Sequence, residues 1–157
     1  PDSELINAAS LLCVPGMGDK KYVVRNDLLR TVAPMPVFAG EKNFNPHYLI
    51  IKLSRQYRFH PVNQCFCLVE YQPDGMTANI WKQYINSPRS FAELRRAIMD
   101  VPGLTWQYRL KNIIHYCSSS QIAGNRNYIK ESPRKLLTAL CTPAGWMLTG
   151  YIRRKTR

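Results

Sequence analysis

Two pairs of soft ligands are the first residues whose spacing could support chemistry. Cys65-x-Cys67 and His115-x-Cys117 each place two metal-ligating side chains two residues apart, and on a strand such residues share a face. Were those strands neighbours, the four groups would approach a tetrahedral zinc site. Zinc signatures usually separate paired ligands by two to four residues, however, and free cysteine on a strand is commonly a small buried apolar group. Cys65, Cys67, His115 and Cys117 are therefore weak metal candidates, and no metal or other cofactor is expected. A thiol nucleophile would need Cys65 or Cys67 beside His60 or His115, with no local motif to support the pairing. Glu70 and Asp74 are too sparse a set for phosphodiester chemistry, and Asp74 is better explained by the turn Gln72-Pro73-Asp74-Gly75. Gly16-Met17-Gly18 lacks the preceding strand and third glycine of a dinucleotide fingerprint. The balance is against an enzyme.

Binding chemistry is better represented. Of 22 Lys and Arg residues against 10 Asp and Glu, the stretch from Leu104 to Arg157 holds ten cations and one acid, Glu131. It supplies +9 of the net +12, leaving +3 for residues 1–100. Charge concentrated in this way seeks phosphate or an acidic protein face. Arg109 and Lys111, with Arg126, Tyr128 and Lys130 downstream, could hold a phosphate backbone and stack a base. Arg134, Lys135, Arg153, Arg154, Lys155 and Arg157 extend that set as phosphate contacts. A second aromatic-basic run, Arg55-Gln56-Tyr57-Arg58-Phe59-His60, suits a guarded sheet edge slightly better than a polyanion groove.

The elements expected to position these residues form an α+β fold. Ser3–Cys13 reads as a short helix, Tyr22–Val32 is ambiguous, and the proline-rich stretch 33–46 is a loop. His47–Leu53 and Gln64–Tyr71 read as strands covered on both faces, and Met76–Ile85 as an alternating strand after the turn. Ser87–Val101 is a helix with Ser90 and Glu93 at capping-box spacing and Pro102-Gly103 as its stop. Leu104–Lys111 alternates without a fault, so Arg109 and Lys111 fall on the outer face of a half-buried strand. Asn112 is expected at a bulge and Ser118–Asn127 in a polar loop. Two short helices, begun by Ser132-Pro133 and Thr142-Pro143, close the chain. Their packing edges would be Leu136, Leu137 and Leu140, then Trp146, Met147, Tyr151 and Ile152. They fit a helix-turn-helix poorly, because the second helix opens on Ala-Gly-Trp-Met rather than on base-reading residues.

The expected architecture is one domain, residues 1–157: an antiparallel sheet of about four strands packed by one central helix, with two C-terminal helices. A small lobe (1–33) and a loop (34–46) precede the main α+β body (47–157). The five scattered cysteines argue for a reducing, intracellular setting, cytoplasmic or nuclear. No apolar run is long enough to span a bilayer, and no membrane partner is expected. A chain opening on Pro1 reads as a processed product or an excised domain. The leading expectation is a non-enzymatic nucleic-acid-binding or nucleoprotein-associated domain, RNA or single-stranded DNA slightly favoured. A protein-interaction or assembly module for an acidic partner is the alternative, ahead of a small nuclease or Cys-dependent enzyme.

Overall fold

The computed structural model describes residues 5–13, 21–62, 64–65, 67–70, 75 and 79–157. Eight helices account for the regular structure of these residues: α1 (Ala8–Cys13), α2 (Asn26–Arg30), α3 (His47–Leu53), α4 (Ile80–Asn86), α5 (Pro88–Met99), α6 (Trp106–Ile122), α7 (Tyr128–Glu131) and α8 (Lys135–Lys155). The only β pairing among them is one isolated antiparallel bridge between Ile6 and Phe59. This overturns the α+β expectation and its four-stranded sheet. The expected strand His47–Leu53 is α3, Leu104–Lys111 runs into α6, and Ile80–Ile85 belongs to α4. Residues 64, 65 and 67–70 are irregular, while 71–74 and 76–78 fall outside the described residues.

Competing periodicities explain these corrections. In α3 the apolar run buries Tyr48, Ile50, Ile51 and Leu53; a short helix wrapped by neighbours looks like a doubly covered strand. In α6 the productive pattern starts later than the alternation: Ile113, Tyr116, Cys117 and Ser120 are buried at helical spacing. Asn112 sits inside the helix, not at a bulge. It is fully buried, donates to the Tyr108 carbonyl at 2.8 Å and accepts from Arg95 Nη1 at 2.9 Å. Thr105 begins the helix by accepting from the Tyr108 N–H. Ser118–Ile122 is also helical, with Ser118, Ser119 and Ser120 buried. The two expected closing helices are one, because α8 continues through Pro143. That proline is exposed, so water can reach the carbonyl its missing N–H leaves unmatched.

The α5 helix, expected from the sequence, is the hub. Leu94, Ala97 and Ile98 face Ala9 of α1, Tyr48 and Ile51 of α3, and Val101 and Leu104 beyond its end. Met99 meets Ile113 and Tyr116 of α6, while Phe91 packs with Tyr84 of α4 and Ile152 of α8. The predicted capping box is not used. Ser90 gives its N–H and hydroxyl to Glu41 at 2.8 and 2.6 Å, and Glu93 accepts from Arg96 and Tyr48.

After the turn at Gly103, where φ is +74°, α6 folds back along α5. The chain then returns through α7, where the Tyr116 hydroxyl donates to the Tyr128 carbonyl at 2.9 Å. α8 consequently runs in the same direction as α6. Cys117 lies against Thr138 and Gly145, Ser118 and Gln121 meet Thr149, and Ile122 shares a cluster with Ile152.

His115 is half-buried on α6, 5.8 Å from the Tyr84 ring. Burial, then the positive charges of Arg95 and Lys111, lowers its pKa from 6.5 to about 4. The unfolded chain therefore binds the extra proton first as pH falls. Stability is complete above about pH 6.5 and declines toward pH 4. The shift corresponds to at most about 3 kcal/mol, and partial exposure brings the expected loss nearer about 2 kcal/mol. Urea denaturation at pH 7.5 and 4.5 should show this loss, with a smaller difference in His115→Gln.

Candidate binding face

The geometry of α8 separates two kinds of residue. Its buried line is Thr138, Cys141, Gly145, Thr149 and Ile152, and all but the last are small. The Thr149 hydroxyl donates to Gly145 O at 2.9 Å and lies 3.0 Å from Ser118 Oγ. A seam of this type lets two helix backbones approach closely while the hydroxyls of Thr138 and Thr149 keep partners. The large apolar residues therefore point to water: Leu136 is 75% exposed, Leu140 69%, Trp146 63%, Met147 79% and Tyr151 48%. This reverses the packing edges expected from the sequence. Only Ile152 of the second edge turns inward.

Leu136, Leu140, Pro143, Met147 and Gly150 recur at alternating steps of four and three. Such a repeat draws a nearly straight seam along a helix. Trp146 and Tyr151 stand on its two flanks by the 100° turn per residue. No charge occurs between Lys135 and Arg153, and no acid occurs anywhere in α8. Arg134 and Lys135 mark one end of the helix; Arg153, Arg154, Lys155 and Arg157 mark the other, about 30 Å away at 1.5 Å per residue. The second group also complements the negative end of the helix dipole. Among the described residues no cation of 104–157 forms an ion pair; the pairs are Arg25–Asp27, Arg55–Asp100, Arg89–Glu41 and Arg96–Glu93.

The other sequence candidates are dispersed. Arg109 and Lys111 are two positions apart on a helix, and so about 200° apart around it rather than on one face. Arg109 is half-buried and donates to the Val101 carbonyl at 3.4 Å, whereas Lys111 is exposed. Arg126 and Lys130 are exposed on the return segment. Tyr128 has no free ring face, being buried with its hydroxyl 3.0 Å from Thr142 Oγ1. In the aromatic-basic run, Arg55 pairs with Asp100 at 3.0 Å and Phe59 makes the bridge to Ile6.

The ligand pairs are not assembled. Cys65 and Cys67 are exposed, while Cys117 is buried and its thiol is pushed up to about 11 by burial. Among the described residues no three His, Cys, Asp or Glu side chains come close enough to share a metal. Two residues apart on a helix, His115 and Cys117 take different sides: His115 meets α4 and Cys117 meets α8. A cavity of about 410 Å³ between α5 and α6 is lined by Phe38, Arg89, Glu93, Arg96, Tyr116 and Glu131, among others. Its arginines are already paired with carboxylates. Among the described residues no helix is long and apolar enough to cross a membrane.

Comparison with models of known protein families, with curated proteins and with solved structures finds no match. What defines the candidate site is therefore the chemistry of α8 itself. The sequence carried one signal for this face, the small residues Thr138, Cys141, Gly145 and Thr149 at helical steps, which mark the packed side and leave the large residues outside.

Proposed function

We propose that this chain is a non-enzymatic interaction module whose α8 face docks an acidic partner protein. The observation that carries the reading is the run of exposed Leu136, Leu140, Trp146 and Met147 between two cationic ends on a helix without acids. Apolar side chains gathered on one face gain by leaving water with a partner, and cations without internal ion pairs select a partner of opposite charge. Its five unbridged cysteines suit a reducing intracellular setting.

The test compares wild-type chain with Leu140→Ser/Met147→Ser and with Arg153→Glu/Arg154→Glu, each immobilised and exposed to nuclease-treated extract. All four positions are exposed, so Leu140→Ser/Met147→Ser should stay within about 0.5 kcal/mol of wild type, and Arg153→Glu/Arg154→Glu, which reverses charges favoured by the helix dipole, within about 2 kcal/mol. A partner retained by wild type and released at least tenfold more readily from both variants is the expected result. Retention that ignores the Leu140 and Met147 changes would overturn the reading.

Nucleic-acid binding is the second reading, favoured by the absence of ion pairs to the C-terminal cations among the described residues and by exposed Trp146 as a stacking surface. It predicts affinity for a single-stranded oligonucleotide that falls steeply with salt. Arg153→Glu/Arg154→Glu should reduce that salt slope, and Leu140→Ser/Met147→Ser should leave it unchanged.

A further inference from the structure

We propose that the occupant of the α8 face is a single amphipathic helix, apolar along one ridge and acidic at both ends; this rests on the acidic-partner reading and specifies its shape. A strand or loop would not match the face, whose apolar ridge from Leu136 to Gly150 runs about 21 Å between the cationic ends with its positions at alternating four- and three-residue steps. A second helix presents side chains with the same repeat, so knobs from one insert between residues of the other. The seam has an opening for such a knob. At Gly150 a Cβ would meet nothing within 4 Å, so the seam carries no side chain between Met147 and Arg154 and is open to one from a partner.

Charge fixes the rest of the description. Lys135 and Arg134 stand at one end, Arg153, Arg154 and Arg157 at the other, with an uncharged span between. A helix with carboxylates at both ends meets cations in either orientation. A second copy of α8 does not, since both ends of both helices would be positive. An anionic lipid surface is the other class of occupant. Cations gathered at the two ends, rather than along both flanks of the apolar stripe, suit a discrete helix better than a continuous headgroup layer.

The probe is a synthetic 21-residue peptide with leucines at alternating four- and three-residue steps and three glutamates at each end. Its control is a shuffled peptide of the same composition. Titration with the whole chain, read by tryptophan fluorescence and circular dichroism, should give 1:1 binding with a gain of peptide helicity. Gly150→Leu, which puts a bulky side chain at the open position of the seam, and Leu140→Ser/Met147→Ser should each weaken binding at least tenfold. Equal affinity for the shuffled peptide would overturn the helical occupant and leave the acidic-partner reading standing. So would failure of both peptides alongside extract proteins still held through Leu140 and Met147. Failure of the peptides and of all protein retention would remove both. Sedimentation of the chain with phosphatidylcholine–phosphatidylserine vesicles in place of peptide binding, or self-association through α8, would also overturn the proposal.

Discussion

Gly145→Ala should destabilise the fold by about 3 kcal/mol, at the upper end of the usual cost of overpacking. The added Cβ would lie 2.5 Å from the Cβ of Cys117 and 3.3 Å from the backbone nitrogen of Ser118. Carbon atoms in contact prefer roughly 3.5–4.0 Å, and neither neighbour is the flexible end of a long side chain. Relief requires that α6 and α8 part along their whole seam, loosening the bonds of Thr149 to Ser118 and Gln121. Urea titration monitored by circular dichroism measures the loss. Two further variants give the cause. Cys117→Gly in the Gly145→Ala background removes the opposing atom, and a double-mutant cycle should return about 2 kcal/mol of coupling. Gly150→Ala, on the same helix but in open space, should stabilise by about 0.5–1 kcal/mol, because alanine restricts the unfolded chain and favours helix. If Gly145→Ala and Gly150→Ala behaved alike, the close approach of α6 and α8 would be refuted.

Glu41→Ala should cost a similar amount, about 3 kcal/mol, from a residue in a loop. α5 begins at Pro88, and Ser87 before it makes no side-chain cap. Glu41 takes that role from 49 positions upstream of Ser90, accepting from Ser90 N–H and hydroxyl and from Arg89 N–H and Nε. Its side chain is only 5% exposed. Hydrogen bonds to a charged group contribute about 1.5–3 kcal/mol, and a carboxylate at a helix N-terminus gains further from the dipole. Burial alone would raise its pKa; the bonds from Ser90 and Arg89 outweigh it and hold the carboxyl below its ordinary value. The folded state is thus the weaker proton binder. Its contribution is present above the ordinary carboxylate pKa and is lost as pH falls through the lowered one. That window lies below most of the His115 decline. Glu41→Gln, which keeps one acceptor, should lose about half as much in the same urea titration. An unchanged midpoint in Glu41→Ala would show that α5 does not depend on this contact.

How far the sequence disclosed the fold depends on which side of each helix was packed by large residues. α5 was legible because Phe91, Leu94 and Ile98 make a strong apolar stripe closed by Pro102-Gly103. α6 and α8 were not, because their mutual face is built from Ser118, Thr138, Gly145 and Thr149, residues that in isolation suggest loops and caps. Leu104–Lys111 alternated by coincidence of composition, and its aromatic and leucine residues carry strand propensity that tertiary packing overrode. The cation excess was legible, but its common face was not. Arg109 and Lys111 share a side only on a strand, and as helix residues they diverge. The candidate site was thus half visible: the charges were present in the sequence, while the exposed apolar line among them followed only once α8 was known to turn its small residues inward.

The hydroxyl-lined contact between α6 and α8 has a thermal consequence. Unfolding of apolar surface raises heat capacity, whereas exposure of polar surface lowers it. Separation of Ser118, Thr138 and Thr149 therefore adds little to the curvature of stability with temperature, while release of Tyr48, Ile51, Leu94 and Ile98 adds much. Since the hydrophobic contribution weakens on cooling, the α1–α3–α5 side should loosen in the cold before the contact between α6 and α8, an order that amide hydrogen exchange at low temperature would reveal.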